Sequence, residues 1–144
     1  MPLVDQQVLR PLVSVITPSL NQAEFVTQTI ESVLSQNYLP LEYWVIDGGS
    51  TDGTLEILHR YRDRVHWISE PDGGQAAAIN KGWRLTRGEI IAYLNADDTY
   101  LPSAIERVVD YLNAHPQVDA VYGDCDYVDE QGKFLRAYPT RPYH

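Results

Sequence analysis

Short apolar runs alternate with amphipathic segments along most of the chain. The first run, residues 12–17 (LVSVIT), is rich in β-branched residues, and residues 23–36 place apolar side chains near the spacing of one helix face. The same order of strand and helix is predicted three more times, at 43–47 and 54–63, at 65–69 and 74–86, and at 89–94 and 102–115. Four successive βα units predict an α/β fold, in which a mostly parallel central sheet carries helices on both faces.

Residues 118–138 follow a different pattern, in which no helix separates the apolar runs. We predict strand, strand and hairpin here, with the turn supplied by Glu130–Gly132. No internal repeat, low-complexity tract or linker divides the chain, and 144 residues with 44% apolar composition suit one compact domain. We therefore expect an N-terminal extension at residues 1–11 and a single domain at residues 12–144.

The net charge of the chain limits the classes of partner that it can bind. Twenty acidic residues face 11 basic ones, for a net charge of −9. Nucleic acid is bound through Lys and Arg that neutralise its phosphates, so this balance argues against a nucleic-acid partner. An acidic chain that binds phosphate needs helix N-termini or a cation.

The cellular setting is indicated by two further features. Cys125 is the single cysteine, which excludes an internal disulfide and is compatible with a reducing compartment. No apolar run approaches the length that crosses a bilayer, and residues 1–12 lack the pattern of a signal peptide. We therefore expect a cytoplasmic protein, either free or at the inner face of the membrane.

Polar loops rich in carboxylates follow all four predicted strands. In an open parallel sheet, ligands bind beyond the carboxyl ends of the strands, so these loops predict the functional site. The loops are 17–21 (TPSLN), 47–54 (DGGSTDGT), 70–74 (EPDGG) and 95–98 (NADD).

The loop after the second strand begins with Asp47. Its carboxylate can accept a hydrogen bond from a ligand N–H or O–H, and Gly48 and Gly49 allow the backbone to approach that ligand. For residues 50–52, capping of the helix that starts near Thr54 explains the sequence at least as well as ligand contact. We therefore single out Asp47 as the binding residue.

The loop after the fourth strand carries two adjacent carboxylates, Asp97 and Asp98. They repel each other unless donors or a cation compensate. Mg²⁺ or Mn²⁺ would do so, since these ions bind one or two carboxylates together with substrate phosphate. The alternative is that they cap the helix beginning near Pro102. Their position at the same sheet edge as Asp47 favours the cation.

The third helix is opened by Gly73 and Gly74, and its N-terminal N–H groups can face an anion. Gly74 is therefore a candidate contact to a phosphate-bearing ligand. For Asn80 and Lys81, one to two turns further on, an ordinary exposed helix face and a ligand contact remain equally good explanations.

Four segments, 13–36, 42–54, 72–98 and 99–105, combine in an order and spacing that is highly specific. With them the chain resembles the family-2 glycosyltransferases of the GT-A fold, over residues 12 to about 130. The resemblance implies a Rossmann-like, nucleotide-sugar-binding domain. It also implies that Thr17, Pro18 and Leu20 pack against the nucleotide base, and that Asp47 hydrogen-bonds the base, usually uracil or thymine.

The same resemblance assigns roles to Asp97 and Asp98. One carboxylate of this motif holds the ribose or sugar, and the last binds the divalent metal on the diphosphate. Many relatives begin the motif with Asp, where this chain has Asn95, so the metal role falls to Asp98 with help from Asp97. Ala77 and Ile79 replace polar residues of many relatives and leave donor recognition there in doubt.

The activity implied is transfer of a sugar from a UDP- or dTDP-linked donor to an acceptor hydroxyl, by an inverting, metal-dependent mechanism. The catalytic base is unknown, because in this family it comes from a later part of the domain; we expect the chain to be the donor-binding half of an incomplete domain. The acceptor, a glycan or lipid-linked sugar in polysaccharide biosynthesis, is inferred from the family alone. The alternative function is a non-catalytic nucleotide-sugar-binding or assembly module. An exposed sheet edge in an incomplete domain also predicts a homo-oligomer.

Overall fold

The protein, described here from a computed structural model for residues 10–141, divides into two compact units whose boundary follows Asp110. The strands are β1 (Val13–Ser19), β2 (Leu41–Asp47), β3 (His66–Ser69), β4 (Ile90–Tyr93), β5 (Cys125–Val128) and β6 (Phe134–Tyr138). The helices are α1 (Val26–Leu34), α2 (Thr54–Arg60), α3 (Gln75–Leu85) and α4 (Ala104–Ala114). The first unit thus contains three of the predicted βα pairs, β4 and the first part of α4, within which its boundary falls.

The sheet of the first unit has the order β3-β2-β1-β4, and all of its pairs are parallel. Val13 lies opposite Leu41 on one side and Ile90 on the other, so β1 is flanked by β2 and β4. This confirms the predicted parallel sheet. Because all four strands run in the same direction, their carboxyl ends, and the loops that follow them, meet at one edge.

Helices cover both faces of this sheet, as predicted. On one face Val15 and Val45 pack with Ile30 of α1 and Leu58 of α2, all fully buried. On the other face Ile16 and Ile46 pack against Ala78 of α3. At Gly82 of α3 a Cβ atom would lie 2.5 Å from Cγ2 of Ile16, so glycine allows this helix to approach the sheet closely and fixes the position of its N-terminus.

The second unit contains an antiparallel hairpin of β5 and β6. Its turn lies where predicted: the Gly132 N–H donates to the carbonyl of Asp129, and Gly132 adopts a φ of 79°. The strand predicted within residues 118–124 was wrong, since this stretch is irregular. Alternating apolar residues form a strand only where a neighbouring strand pairs with the backbone N–H and C=O groups.

Residues 1–9 of the expected extension and residues 142–144 lie outside the described part of the chain. Pro11, just before β1, accepts a 2.6 Å hydrogen bond from the Tyr38 hydroxyl. Between residues 10 and 141, no helix combines the length and apolar character that crossing a membrane requires.

Candidate functional site

A cleft of about 200 Å³ opens at the carboxyl edge of the sheet. Its walls come from the loops after β1, β3 and β4 and from the N-terminus of α3. The lining residues are Pro18, Ser19, Leu20, Gln22, Asp72, Gly74, Gln75, Ala78, Asn95, Ala96 and Asp97. Four of the predicted site residues, Pro18, Leu20, Gly74 and Asp97, are therefore brought to one cavity.

Pro18 and Leu20 supply the apolar part of the cleft. Leu20 is 53% exposed, which is unusual for a leucine next to a buried strand and leaves its side chain available to a ligand. The cleft therefore contains an apolar surface of the kind on which a planar base can pack.

Thr17 occupies a different position. Its side chain is fully buried, and its Oγ1 lies 2.9 Å from the hydroxyl of Tyr43, with which it shares a hydrogen bond. Burial raises the pKa of the Tyr43 phenol well above its ordinary value, so this hydroxyl stays neutral. Any contact between Thr17 and a nucleotide base would have to use its backbone.

Asp47 closes β2 with its side chain fully buried. Its Oδ2 accepts hydrogen bonds from the backbone N–H of Gly49 at 3.0 Å and of Ser50 at 2.8 Å, and from the Ser69 hydroxyl at 2.7 Å. Its Oδ1 accepts from the hydroxyl of Ser50. The carboxylate thus organises the loop that follows β2, and a base N–H would compete with Ser50 for Oδ1.

The Asp47 end of β2 and the loop after β4 lie at the same edge of the sheet. Only β1 separates the two strands, so β2 and β4 themselves are two strand spacings apart, about 10 Å. That separation is short enough for one nucleotide diphosphate to contact both loops.

The side chain of Thr29, in α1, anchors the loop after β4. Its buried hydroxyl approaches the carbonyl oxygens of Ala96 at 2.9 Å and Asp98 at 2.8 Å. The Asp98 N–H donates to the Asn95 carbonyl at 3.1 Å, which closes a turn. The backbone is therefore held in place, while the carboxylates of Asp97 and Asp98 remain exposed.

Asn95, at the start of this loop, makes two side-chain hydrogen bonds, one within the loop and one to α3. Its Nδ2 donates to Oδ2 of Asp98 over 3.1 Å, and its Oδ1 accepts a hydrogen bond from Nε2 of Gln75, the first residue of α3. The sequence predicted that the neutral amide of Asn95 leaves the metal role to Asp98. In the structure this amide is hydrogen-bonded directly to the Asp98 carboxylate.

The residues present suit a divalent cation that is shared with a ligand. No group of three or more His, Cys, Asp or Glu side chains able to hold a metal occurs within residues 10–141. A closed protein cage is therefore not formed by these residues. Two exposed carboxylates on a fixed backbone match a hard cation that takes its other ligands from water and phosphate.

Sequence reasoning missed Asp72 and Gln75 as lining residues. Asp72 accepts a 2.8 Å hydrogen bond from the Gly74 N–H and so occupies one of the free donors at the start of α3. Gln75 reaches Asn95 across the cleft. Asp72 lies in the glycine-containing loop after β3, and Gln75 directly follows it. An Asp or Gln at such positions is common, and nothing in the sequence alone set these two apart.

Two acidic residues of the second unit, Asp124 and Asp129, accept hydrogen bonds from residues of the same unit. Asp124 accepts hydrogen bonds from the backbone N–H and hydroxyl of Thr140, and these bonds lower the pKa of its carboxyl group. Asp129 accepts from the backbone N–H groups of Gln131 and Lys133 and so shapes the hairpin turn. Neither carboxylate has the environment of a general base.

Comparison with known proteins adds an independent line of evidence. Residues 14–143 match the model of the family described as glycosyl transferase family 2. A protein of Rickettsia felis, named as an uncharacterized glycosyltransferase, is 36% identical over 129 residues. The match covers 88% of this chain and 21% of that relative, so the chain spans about a fifth of its length.

Two solved structures have a similar fold. The crystal structure of S. aureus TarS 1–349 in complex with UDP-GlcNAc matches with a TM-score of 0.66 and 24% identity, over 72% of this chain and 32% of that one. The mannosyltransferase PcManGT from Pyrobaculum calidifontis, in complex with GDP-Man and Mn²⁺, matches with a TM-score of 0.65 and 26% identity, over 85% and 38%. The chain belongs to glycosyltransferase family 2 and has the GT-A fold of these enzymes.

Proposed function

We propose that the cleft binds a nucleotide-diphosphate sugar, UDP- or dTDP-linked, and that the whole protein transfers its sugar to an acceptor hydroxyl with inversion. The observation that carries the proposal is the convergence of Pro18, Leu20, Gly74 and Asp97 in one cavity at the carboxyl edge of the sheet. UDP-GlcNAc in TarS and GDP-Man in PcManGT support a nucleotide-sugar donor as the ligand class.

Each wall of the cleft suits a different part of such a donor. Pro18 and Leu20 offer apolar surface to the base, and Asp47 offers Oδ1 to its ring N–H once Ser50 gives way. The N-terminus of α3, at Gly74, favours the negative diphosphate. The Asp97 carboxylate accepts hydrogen bonds from ribose or sugar hydroxyls.

Asp98, with help from Asp97, would hold Mn²⁺ or Mg²⁺. The bound ion would neutralise charge on the departing nucleoside diphosphate. The exposed, adjacent carboxylates and the Mn²⁺ named in the PcManGT complex support this assignment.

The acceptor side of the reaction needs a carboxylate that removes the proton of the attacking hydroxyl. We assign no residue of this chain to that role, since Asp124 accepts hydrogen bonds from Thr140 and Asp129 accepts them from its own hairpin turn. A glycan or lipid-linked sugar is the proposed acceptor, with polysaccharide assembly as the setting and the cytoplasm as the location.

A second candidate is a non-catalytic nucleotide-sugar-binding or assembly module. Ala77 and Ile79 of α3 favour it, because neither side chain makes a polar contact and neither lines the cleft. Sugar transfer or donor hydrolysis by a longer form of the protein would separate the two functions: a binding module takes up the donor without turning it over.

Calorimetry with UDP and dTDP, with and without Mn²⁺, tests the proposed binding. We expect Mn²⁺ to strengthen binding at least tenfold, and Asp98→Ala or a chelator to remove that gain. Asp63→Ala is the matched control, because Asp63 is a highly exposed aspartate paired only loosely with Arg62 at 3.9 Å. Equal binding by Asp98→Ala and the parent chain would refute the metal assignment.

We also propose that the chain forms a homo-oligomer. Within the described residues, β3 and β4 are the edges of the four-stranded sheet, and an unpaired strand edge invites pairing with another chain. Light scattering should give a mass above that of one chain, and a monomer at high concentration would contradict this.

A further inference from the structure

Two side-chain amides connect the N-terminus of α3 to Asp98. Gln75 donates from Nε2 to Oδ1 of Asn95, and Asn95 donates from Nδ2 to Oδ2 of Asp98 over 3.1 Å. Gln75 and Asn95 both line the cleft. Gln75, at the start of α3, is thus joined to Asn95 and Asp98 of the loop after β4. Each hydrogen bond is donated towards Asp98.

The direction of these hydrogen bonds is set by the carboxylate. Ionised Asp98 can only accept, so Asn95 must turn its NH₂ group towards Asp98 and its carbonyl oxygen towards Gln75. Gln75 must then present its own NH₂ group to that oxygen. The orientation of both amides therefore follows from the charge on Asp98.

We propose that Gln75 and Asn95 are positioning residues that orient the Asp98 carboxylate for the divalent cation. The inference rests on the proposed function, since it concerns the same cation. An exposed aspartate side chain samples several rotamers, and a hydrogen bond to one oxygen selects among them. Asn95 donates to Oδ2 of Asp98, so a carboxylate oriented in this way would hold the cation. Partners that orient a metal ligand in this way contribute about 10- to 100-fold to metal affinity in other proteins.

Asparagine has a specific advantage over aspartate at position 95. Its atom next to Asp98 is a donor, whereas an aspartate would place a second carboxylate oxygen about 3 Å from the first and repel it. With Asn95 the Asp98 carboxylate is oriented before any cation arrives.

The first test is Mn²⁺ binding in the presence of UDP, measured from the electron paramagnetic resonance signal of free Mn²⁺. We expect Asn95→Ala to weaken Mn²⁺ binding about tenfold and Gln75→Ala about threefold. Gln28→Ala, which removes an exposed glutamine on α1, is the matched control and should leave binding unchanged.

A double-mutant cycle separates positioning from direct ligand contact. If Gln75 acts through Asn95, Gln75→Ala should have no effect on Mn²⁺ binding in a chain that already carries Asn95→Ala. A threefold loss that persists in that background would overturn the relay, because Gln75 would then contact the ligand by itself.

The Asn95→Asp variant provides a readout that needs no nucleotide. The added carboxylate should lower the Tm of the metal-free protein at neutral pH, and Mn²⁺ should raise the Tm of this variant more than that of the parent chain. Equal Tm values without metal would show that position 95 does not face the Asp98 carboxylate, and would overturn the inference.

The outcomes distinguish the inference from the proposed function. If the parent chain binds neither UDP nor Mn²⁺, the proposed function fails, and the inference fails with it. If the parent chain binds both and Asn95→Ala binds Mn²⁺ equally well, the inference alone is wrong.

Discussion

The carboxylates of β2 and those of the loop after β4 occupy the same sheet but opposite environments. Asp47 and Glu42 of β2 are buried, and each accepts several hydrogen bonds from the protein itself. Asp97 and Asp98 are exposed, and the one side-chain donor found for them among the described residues is the Asn95 amide. The first pair stabilises the fold, with Oδ1 of Asp47 also proposed to bind the base, while the second pair keeps its oxygens available to a ligand.

This difference shows that a strand-end aspartate does not have one meaning. After β2 the chain turns back over Asp47, so its own N–H groups and hydroxyls reach the carboxylate. After β4 the turn is anchored through its carbonyls by Thr29, and Asp97 and Asp98 stay exposed. Mutations in the β2 region should therefore affect folding most, and mutations in the loop after β4 should affect ligand binding with little effect on folding.

The largest effect is expected for Asp47→Ala. It leaves two backbone N–H groups and two hydroxyls in a buried turn without their acceptor, which should lower the free energy of unfolding by about 3 kcal/mol. Chemical denaturation measures this. Asp47→Asn is the control, because its amide keeps a carbonyl oxygen and should lose less than half as much; an unchanged Asp47→Ala variant would contradict the structural role.

Thr29→Val is expected to have the next largest effect. It keeps the shape of the side chain but removes the hydroxyl that approaches the carbonyls of Ala96 and Asp98. The free energy of unfolding should fall by about 1 to 2 kcal/mol, as for one lost buried hydrogen bond. Loosening of this loop should also weaken Mn²⁺-dependent UDP binding, and a variant that loses stability but binds as before would separate the anchor from the site.

The contribution of Glu42 to the stability of the folded protein depends on pH. Burial alone would raise the pKa of Glu42, but hydrogen bonds from Ser14, the Arg87 backbone and Trp44 outweigh it, and the pKa falls below its ordinary value of 4.5. A depressed pKa in the folded state means that this stabilisation is present above pH 4.5 and is lost as the pH falls through the folded value.

Denaturation midpoints of the parent chain and Glu42→Gln, compared from neutral pH down to about pH 3, test this sign. Glu42→Gln should be less stable by about 1 kcal/mol at neutral pH, and the difference should shrink in acid. A gap that stays constant across this range would show that the hydrogen bonds do not depend on ionisation.

The smallest effect on folding is expected for Asp98→Asn. Because the side chain is exposed, the free energy of unfolding should stay within about 0.5 kcal/mol of that of the parent chain. Thermal denaturation without metal checks this. A loss as large as that of Asp47→Ala would remove the contrast between the two regions.

Much of the fold could be predicted from local pattern. The alternation of β-branched runs and helical periodicity gave the four βα pairs, and parallel pairing follows from helical crossovers between strands. The stretch 118–124 could not be predicted in this way. Both this stretch and β4 are rich in apolar residues, yet of the two only β4 has a neighbouring strand, β1, with which its backbone pairs.

The site could be predicted in position but not in detail. Strand-end loops with Asp and Gly indicated one edge of the sheet, and Pro18, Leu20, Gly74 and Asp97 line a cleft at that edge. Thr17 shares its periodicity with buried residues of β1, which the sequence does not distinguish from a side chain at the ligand surface. Gln75 could not be found, because its importance depends on Asn95, 20 residues away.

The sequence by itself determined the order of the elements, the sheet edge at which the polar loops converge, and the family. These properties depend on periodicity and on residues close together in the chain. Only the tertiary structure decided that Asp47 is enclosed by its own loop, that Asp98 stays exposed, and that an amide from α3 reaches Asn95. Burial and hydrogen-bond partners arise when distant segments pack together, so a carboxylate's chemical environment is set after the chain has folded.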